Sequence, residues 1–153
     1  MCGQDFFNLA ITKPNYMNIH GPIIIIENDA DEISLLTEII SDLGYNNPIV
    51  AIQNSSSAVQ AIKDAEKPFM VLSAINLMGL SGLEVRDKIL QEASLARKCT
   101  PYIFYSAHAT PETREAVFSR QANGYIHDVN DYHKLGETMD IVMRYWKMSG
   151  HVA

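Results

Sequence analysis

The chemistry open to this 153-residue chain rests on a few side chains that close short apolar runs: Glu27, Asn28 and Asp29 after the first, Asn76 after the third, Ser106 and His108 after the fourth, and His127 and Asp128 after the fifth. The carboxylates Glu27, Asp29 and Asp128 have the type that general acid-base work needs. No nucleophile, phosphate cradle or companion base accompanies them, so an enzyme is not expected. Asp29 stands at a strand-to-helix junction and reads first as an N-cap rather than a metal ligand. His108, two residues past Ser106, is placed to overlook the pocket, but an exposed loop histidine is the commoner case, and His127 reads the same way. Cys2 and Cys99 form neither a CxxC pair nor a Cys/His cluster, which argues against a disulfide framework or a structural zinc site. A formal net charge of -6, with Lys and Arg scattered along the chain, leaves no footprint for a phosphate backbone. No nucleic acid is expected as a partner.

These side chains need a scaffold, and the composition supports one. Hydrophobic residues make up 47% and charged residues 20%, a balance that fits one packed domain. The run Ile23–Ile26 is far too short to span a bilayer, and the first residues lack the basic start and apolar middle of a signal peptide. A soluble, cytoplasmic protein without membrane contact is expected. Residues 1–20, with Pro14 and Asn15 in the middle, show no sustained period and read as an extension, with Met17 an alternative start. The domain is expected over residues 21–148, followed by a tail at 149–153.

From Gly21 onward short apolar runs alternate with amphipathic stretches. Pro22–Ile26 predicts a strand buried on both faces. Ile33, Leu36, Ile40 and Leu43 recur at helical spacing, with Asp31 and Glu32 at the start and Gly44 as the stop. Strands are then predicted at Pro48–Ile52, Phe69–Ser73, Pro101–Ser106 and Gly124–His127. Helices are predicted at Ser55–Glu66, from the turn-rich Met78–Gly82 through Leu90, from the Thr110-Pro111 cap to about Gln121, and at Asp131–Met148. Strict alternation of five strands and five helices implies right-handed crossovers in an α/β, doubly wound, flavodoxin-like domain with parallel strand order 2-1-3-4-5. Its site belongs outside the carboxyl ends of the strands, near Glu27–Asp29, Ser73–Asn76, Ser106–His108 and Asp128.

Four stretches in order carry a family likeness: Ile-Ile-Glu-Asn-Asp-Ala-Asp at 25–31, Leu-Ser-Ala-Ile-Asn-Leu-Met-Gly-Leu-Ser-Gly-Leu-Glu at 72–84, Tyr-Ser-Ala at 105–107 and Gly-Tyr-Ile-His-Asp at 124–128. From Pro22 to about Trp146 the chain resembles response-regulator receivers of two-component signalling. The resemblance implies an aspartate acceptor after the third strand, Mg²⁺ held by acids after the first, a Thr or Ser after the fourth and a Lys after the fifth. Carboxylate, metal, hydroxyl and ammonium supply the nucleophile and the charge stabilisation for phosphoryl transfer. Here the acceptor position is Ala74, and a methyl group cannot attack phosphorus. The acid positions are Glu27 and Asn28, Asn76 retains a backbone carbonyl, Ser106 keeps the hydroxyl, and Asp128 reverses the lysine charge. The pocket therefore reads as a degenerate phosphorylation site, a pseudo-receiver with no cofactor and Mg²⁺ binding weak at best through Glu27, Asn28 and Asn76.

That reading makes the chain a stand-alone receiver acting by phosphorylation-independent binding to another signalling protein, a histidine kinase or an effector. The resemblance places the working surface on the fourth helix, fifth strand and fifth helix, where a homodimer is the other assembly to expect. Tyr125 matches the family's switch aromatic and, with nothing on Ala74 to follow, is expected to rest in one arrangement. On the last helix Leu135, Met139, Val142 and Trp146 form the core stripe, while Tyr132, Met143, Tyr145 and Met148 are expected to be presented outward. The family's cis Lys-Pro pair becomes Asp128-Val129, whose peptide is expected to be trans. A flavodoxin-like FMN or cobalamin domain or enzyme is the alternative, but it needs a phosphate loop or a histidine stretch that is missing here.

Overall fold

The four isoleucines of β1 (Ile23–Ile26) are each 0% exposed, so this strand is covered on both faces. Ile23 and Ile25 pack with Leu36, Ile39 and Ile40 of α1 (Ala30–Asp42) and with Leu135, Met139 and Met143 of α6 (Tyr132–Gly150). Ile24 and Ile26 point the other way, into a cluster with Ile62 of α2 (Ala58–Asp64), Val85 and Ile89 of α3 (Gly82–Gln91) and Val117 of α5 (Pro111–Phe118). Side chains that alternate across one strand thus build two cores and a three-layer molecule. The structure is a computed structural model describing residues 18–96, 100–127 and 130–150.

Parallel strands β2 (Ile49–Ile52), β1, β3 (Met70–Ala74), β4 (Tyr102–Tyr105) and β5 (Gly124–Ile126) form one sheet in the order β2-β1-β3-β4-β5, as the alternating pattern predicts. The register lines up the carboxyl rim. Ile26 pairs with Ser73, Ala74 with Tyr105, and Tyr105 with Ile126. Glu27 therefore emerges level with Ala74. Caps set the rim loops: Asp29 accepts from the Asp31 amide at 2.9 Å, as its N-cap reading requires, and Thr110 and Thr113 form a reciprocal capping box that spans Pro111. Gly44 ends α1 with φ +89°, a conformation open to glycine. Gly82 is required by proximity, because a Cβ there would lie 1.9 Å from the Ala74 carbonyl oxygen. The start of α3 is thereby seated directly on the end of β3.

Several expectations need correction. The Ser55–Glu66 stretch divides into a 3-10 turn at Ser55–Ser57 and the shorter α2, because the Asn54 side chain caps the Ser56 amide at 3.0 Å and starts a tight turn first. The five expected helices are joined, among the described residues, by one further four-residue helix, α4 (Ala93–Ala96). The α5 helix stops at Phe118 rather than Gln121, where Gln121 adopts φ +58°. Met143 is buried, not presented, since it falls on the edge of the α6 stripe that packs against the α1 layer. Ile141, at 61% exposure, takes its place on the outer surface with Tyr145 at 59% and Met148 at 78%. The last helix runs on to Gly150, into the expected 149–153 tail, while residues 1–17 of the extension with the alternative start, the Asp128-Val129 peptide with its trans expectation, and residues 151–153 lie outside the described residues.

Candidate functional site

A cavity of about 310 Å³ opens at the carboxyl rim, lined by Glu27, Glu32, Ala74, Asn76, Tyr105 and Ser106 among others. It gathers four of the residues singled out from sequence, Glu27, Ala74, Asn76 and Ser106, at the predicted switch point between β1 and β3. Ala74 is 5% exposed and contributes only a methyl where β3 ends. Asp128 lies outside the described residues.

Glu27 is 7% exposed, and its carboxylate is spoken for. The Tyr105 hydroxyl donates to Oε2 at 2.6 Å, and the Asp29 amide donates to Oε1 at 3.2 Å. The parity of the rim explains the pairing: Tyr105 shares the α1/α6 face with Ile25, two residues before Glu27, so the phenol crosses β3 over the small Ala74. Burial, followed by the bond to Glu27 and its charge, holds the Tyr105 phenol far above the ordinary range. Glu32, on the first turn of α1, is raised by burial and then by Glu27, Asp29 and Asp31.

Asn28 does not line the cavity. Its Nδ2 donates to the Gln53 carbonyl at 2.6 Å, and its Oδ1 accepts from the Met78 amide. Hard divalent ions need several oxygen ligands, carboxylates above all. The matched positions offer one carboxylate, already bonded twice, an amide engaged elsewhere, and a methyl. No three His, Cys, Asp or Glu side chains among the described residues are grouped to hold a metal ion. The donor set does not fit the magnesium site that the likeness implies.

Ser106 is 9% exposed and turns its hydroxyl toward the β4–α5 loop. It donates to the His108 carbonyl at 2.7 Å and lies 2.6 Å from the Tyr125 hydroxyl. The Tyr125 hydroxyl also reaches the His108 carbonyl at 3.4 Å. His108 enters through its backbone, with its side chain exposed, and the exposed His127 ring stands edge-on to Tyr125 at 5.6 Å.

The model of the response regulator receiver domain family matches residues 23–140, more than half of the chain. The chain belongs to the response regulator receiver domain family. Solved receivers share its fold at low identity. The phosphorylated cyanobacterial phytochrome response regulator RcpA is 19% identical, with 86% of this chain and 97% of that one covered at a TM-score of 0.76. A receiver domain from Rhodospirillum rubrum is also 19% identical, covering 83% and 94% at a TM-score of 0.71. The receiver domain of a sensor histidine kinase from Pseudomonas aeruginosa PAO1, with magnesium in its active-site cleft, is 18% identical, covering 82% and 96% at a TM-score of 0.65. Comparison with curated proteins found no match. Receivers are two-component signalling domains that work with histidine kinases or effectors, and no helix of the described residues is long and apolar enough to cross a membrane.

Two residues at the rim bond in ways that the sequence alone does not reveal. Tyr105 reads as one more aromatic in a buried strand, and only strand register shows that it meets Glu27. Asn28 reads as a weakened metal ligand, whereas its bonds run sideways to neighbouring loops.

Proposed function

We propose that this receiver signals by binding a partner protein without phosphoryl transfer, as a pseudo-receiver. The observation that carries this reading is Ala74, a methyl lining the rim cavity at the position of the family's acceptor carboxylate. A side chain without a lone pair cannot form the acyl phosphate, the Glu27 carboxylate in the same cavity is bonded to Tyr105 and the Asp29 amide, and a hydroxyl could give only an ester. Ser106, the nearest by type, already donates to the His108 carbonyl. With Glu27 and Asn28 committed to protein partners, Mg²⁺ and other cofactors have no part in this function.

The partner is another signalling protein, a histidine kinase or effector, met in the cytoplasm. The acidic chain favours neither nucleic acid nor an anionic membrane. The surface is the α5–β5–α6 face. On α6, Ile141, Tyr145 and Met148 follow at spacings of four and three, forming one exposed apolar stripe, and Phe118 at the end of α5 is 42% exposed. The same stripe suits a second copy of the chain as a homodimer. Ser106 and Tyr125 hold each other at 2.6 Å without any group on position 74, so the face is constitutively displayed.

The test is a titration of the protein with Mg²⁺ and beryllofluoride, followed through the NMR signals of the Tyr125 ring and the Ser106 amide. Unchanged signals are expected throughout. A saturable shift of both would show that the pocket still receives a phosphoryl mimic and would overturn the proposal.

A further inference from the structure

The position where receivers keep a second metal-binding acid here carries an amide with two bonds of opposite polarity. Nδ2 of Asn28 donates to the carbonyl of Gln53, which follows β2, and Oδ1 accepts from the amide of Met78, in the loop after β3. Only one orientation of the amide satisfies both, so the network fixes which atom is which. A carboxylate could accept from Met78 but would face the Gln53 carbonyl without a proton to give. The chemistry at position 28 thus matches the bonds made and explains why an aspartate would not serve.

The same loop is gripped from its other side. Ser55, in the 3-10 turn after β2, donates to the Met78 carbonyl at 2.9 Å, so both backbone groups of Met78 are held by side chains from other loops. Gly79 follows with φ +79°, and a Cβ there would meet the Ser55 hydroxyl at 3.2 Å. The loops after β1, β2 and β3 are therefore joined through one amide and one hydroxyl. A divalent ion bridging acids on the first and third of these loops would tie them from the pocket side.

We infer that Asn28 is a loop clamp: its amide fastens the loops after β1, β2 and β3 around the pocket and keeps them assembled without a cation. This goes beyond the missing acceptor. The clamp would hold the loops whatever stood at position 74, and its failure would leave the phosphotransfer reading untouched.

Amide hydrogen exchange at Met78 tests the clamp, with Ile25 in the central strand as the control. In the unmodified protein Met78 exchanges slowly, and adding Mg²⁺ changes nothing. Asn28→Ala speeds exchange at Met78 by about tenfold, the scale expected when one hydrogen bond is lost, and leaves Ile25 unmoved. Asn28→Asp keeps an acceptor for Met78 and so retains part of its protection, a rescue that a merely structural disturbance would not produce. Should the alanine variant fail to fold, Ser55→Ala serves as the milder probe: it releases the Met78 carbonyl and partly loosens the same amide. Equal Met78 exchange in the unmodified protein and Asn28→Ala overturns the clamp. So does marked slowing at Met78 when Mg²⁺ alone is added to the unmodified protein.

Discussion

A methyl in place of a carboxylate at the end of β3 offers no nucleophile, and the polar groups near Ala74 bond to one another or to neighbouring loops. Glu27 takes its hydrogen bonds from Tyr105 and the Asp29 amide, and Asn28 is bonded away from the cavity. Restoring the acceptor alone should therefore restore little. Ala74→Asp places a buried carboxylate beside Glu27 in a cavity with no committed cation, at a cost of about 1–3 kcal/mol, and phosphodonors should give no more than a trace of adduct. Thermal melting and intact mass read the two effects, and efficient phosphorylation of this single variant would contradict the account of Glu27 and Asn28. At this scale the sequence was informative where residue type decides the chemistry, as with Ala74. It was silent where chemistry depends on a partner brought by register: Tyr105 stands 78 residues from Glu27 and looks like any strand aromatic.

The last helix shows how far periodicity reaches at the scale of an element. Leu135, Met139, Val142 and Trp146 lie on the predicted core stripe and are buried or packed against the core. Met143 sits one residue beyond that stripe, where neither spacing nor residue type distinguishes the edge of a core from a surface patch. The adjoining layer decides, and α1 covers it. Tyr132, at the start of the helix, is 46% exposed, as the outward reading expects. The outer stripe is thus Ile141, Tyr145 and Met148. Ile141→Glu and Tyr145→Glu should each weaken self-association or partner capture at least severalfold, with folding stability changed by roughly 0.5 kcal/mol or less, as is usual for exposed sites. Gln60→Glu on α2, also exposed, should leave association and capture unchanged, at a small cost to stability from the lost bond to Asp64. Sedimentation and pull-down on folded variants make the comparison, and equal losses from both helices would count against the α5–β5–α6 face.

For the whole molecule, strand order was legible because a doubly wound sheet has few alternatives once strands and helices alternate, and the site followed from the carboxyl-end rule. Strand ends were less legible, since rim residues answer to loops that sequence does not pair: the third strand runs one residue further than predicted, to Ala74, where Gly82 packs against its carbonyl. In the proposed picture the receiver's cavity persists while its polar groups satisfy one another, so that the fold would display a surface instead of switching it. Incubation with a small-molecule phosphodonor and Mg²⁺, followed by intact-mass spectrometry, tests that picture most directly. The mass of the unmodified chain is the predicted result, and a stable adduct of one phosphoryl group mapped to the rim cavity would contradict it.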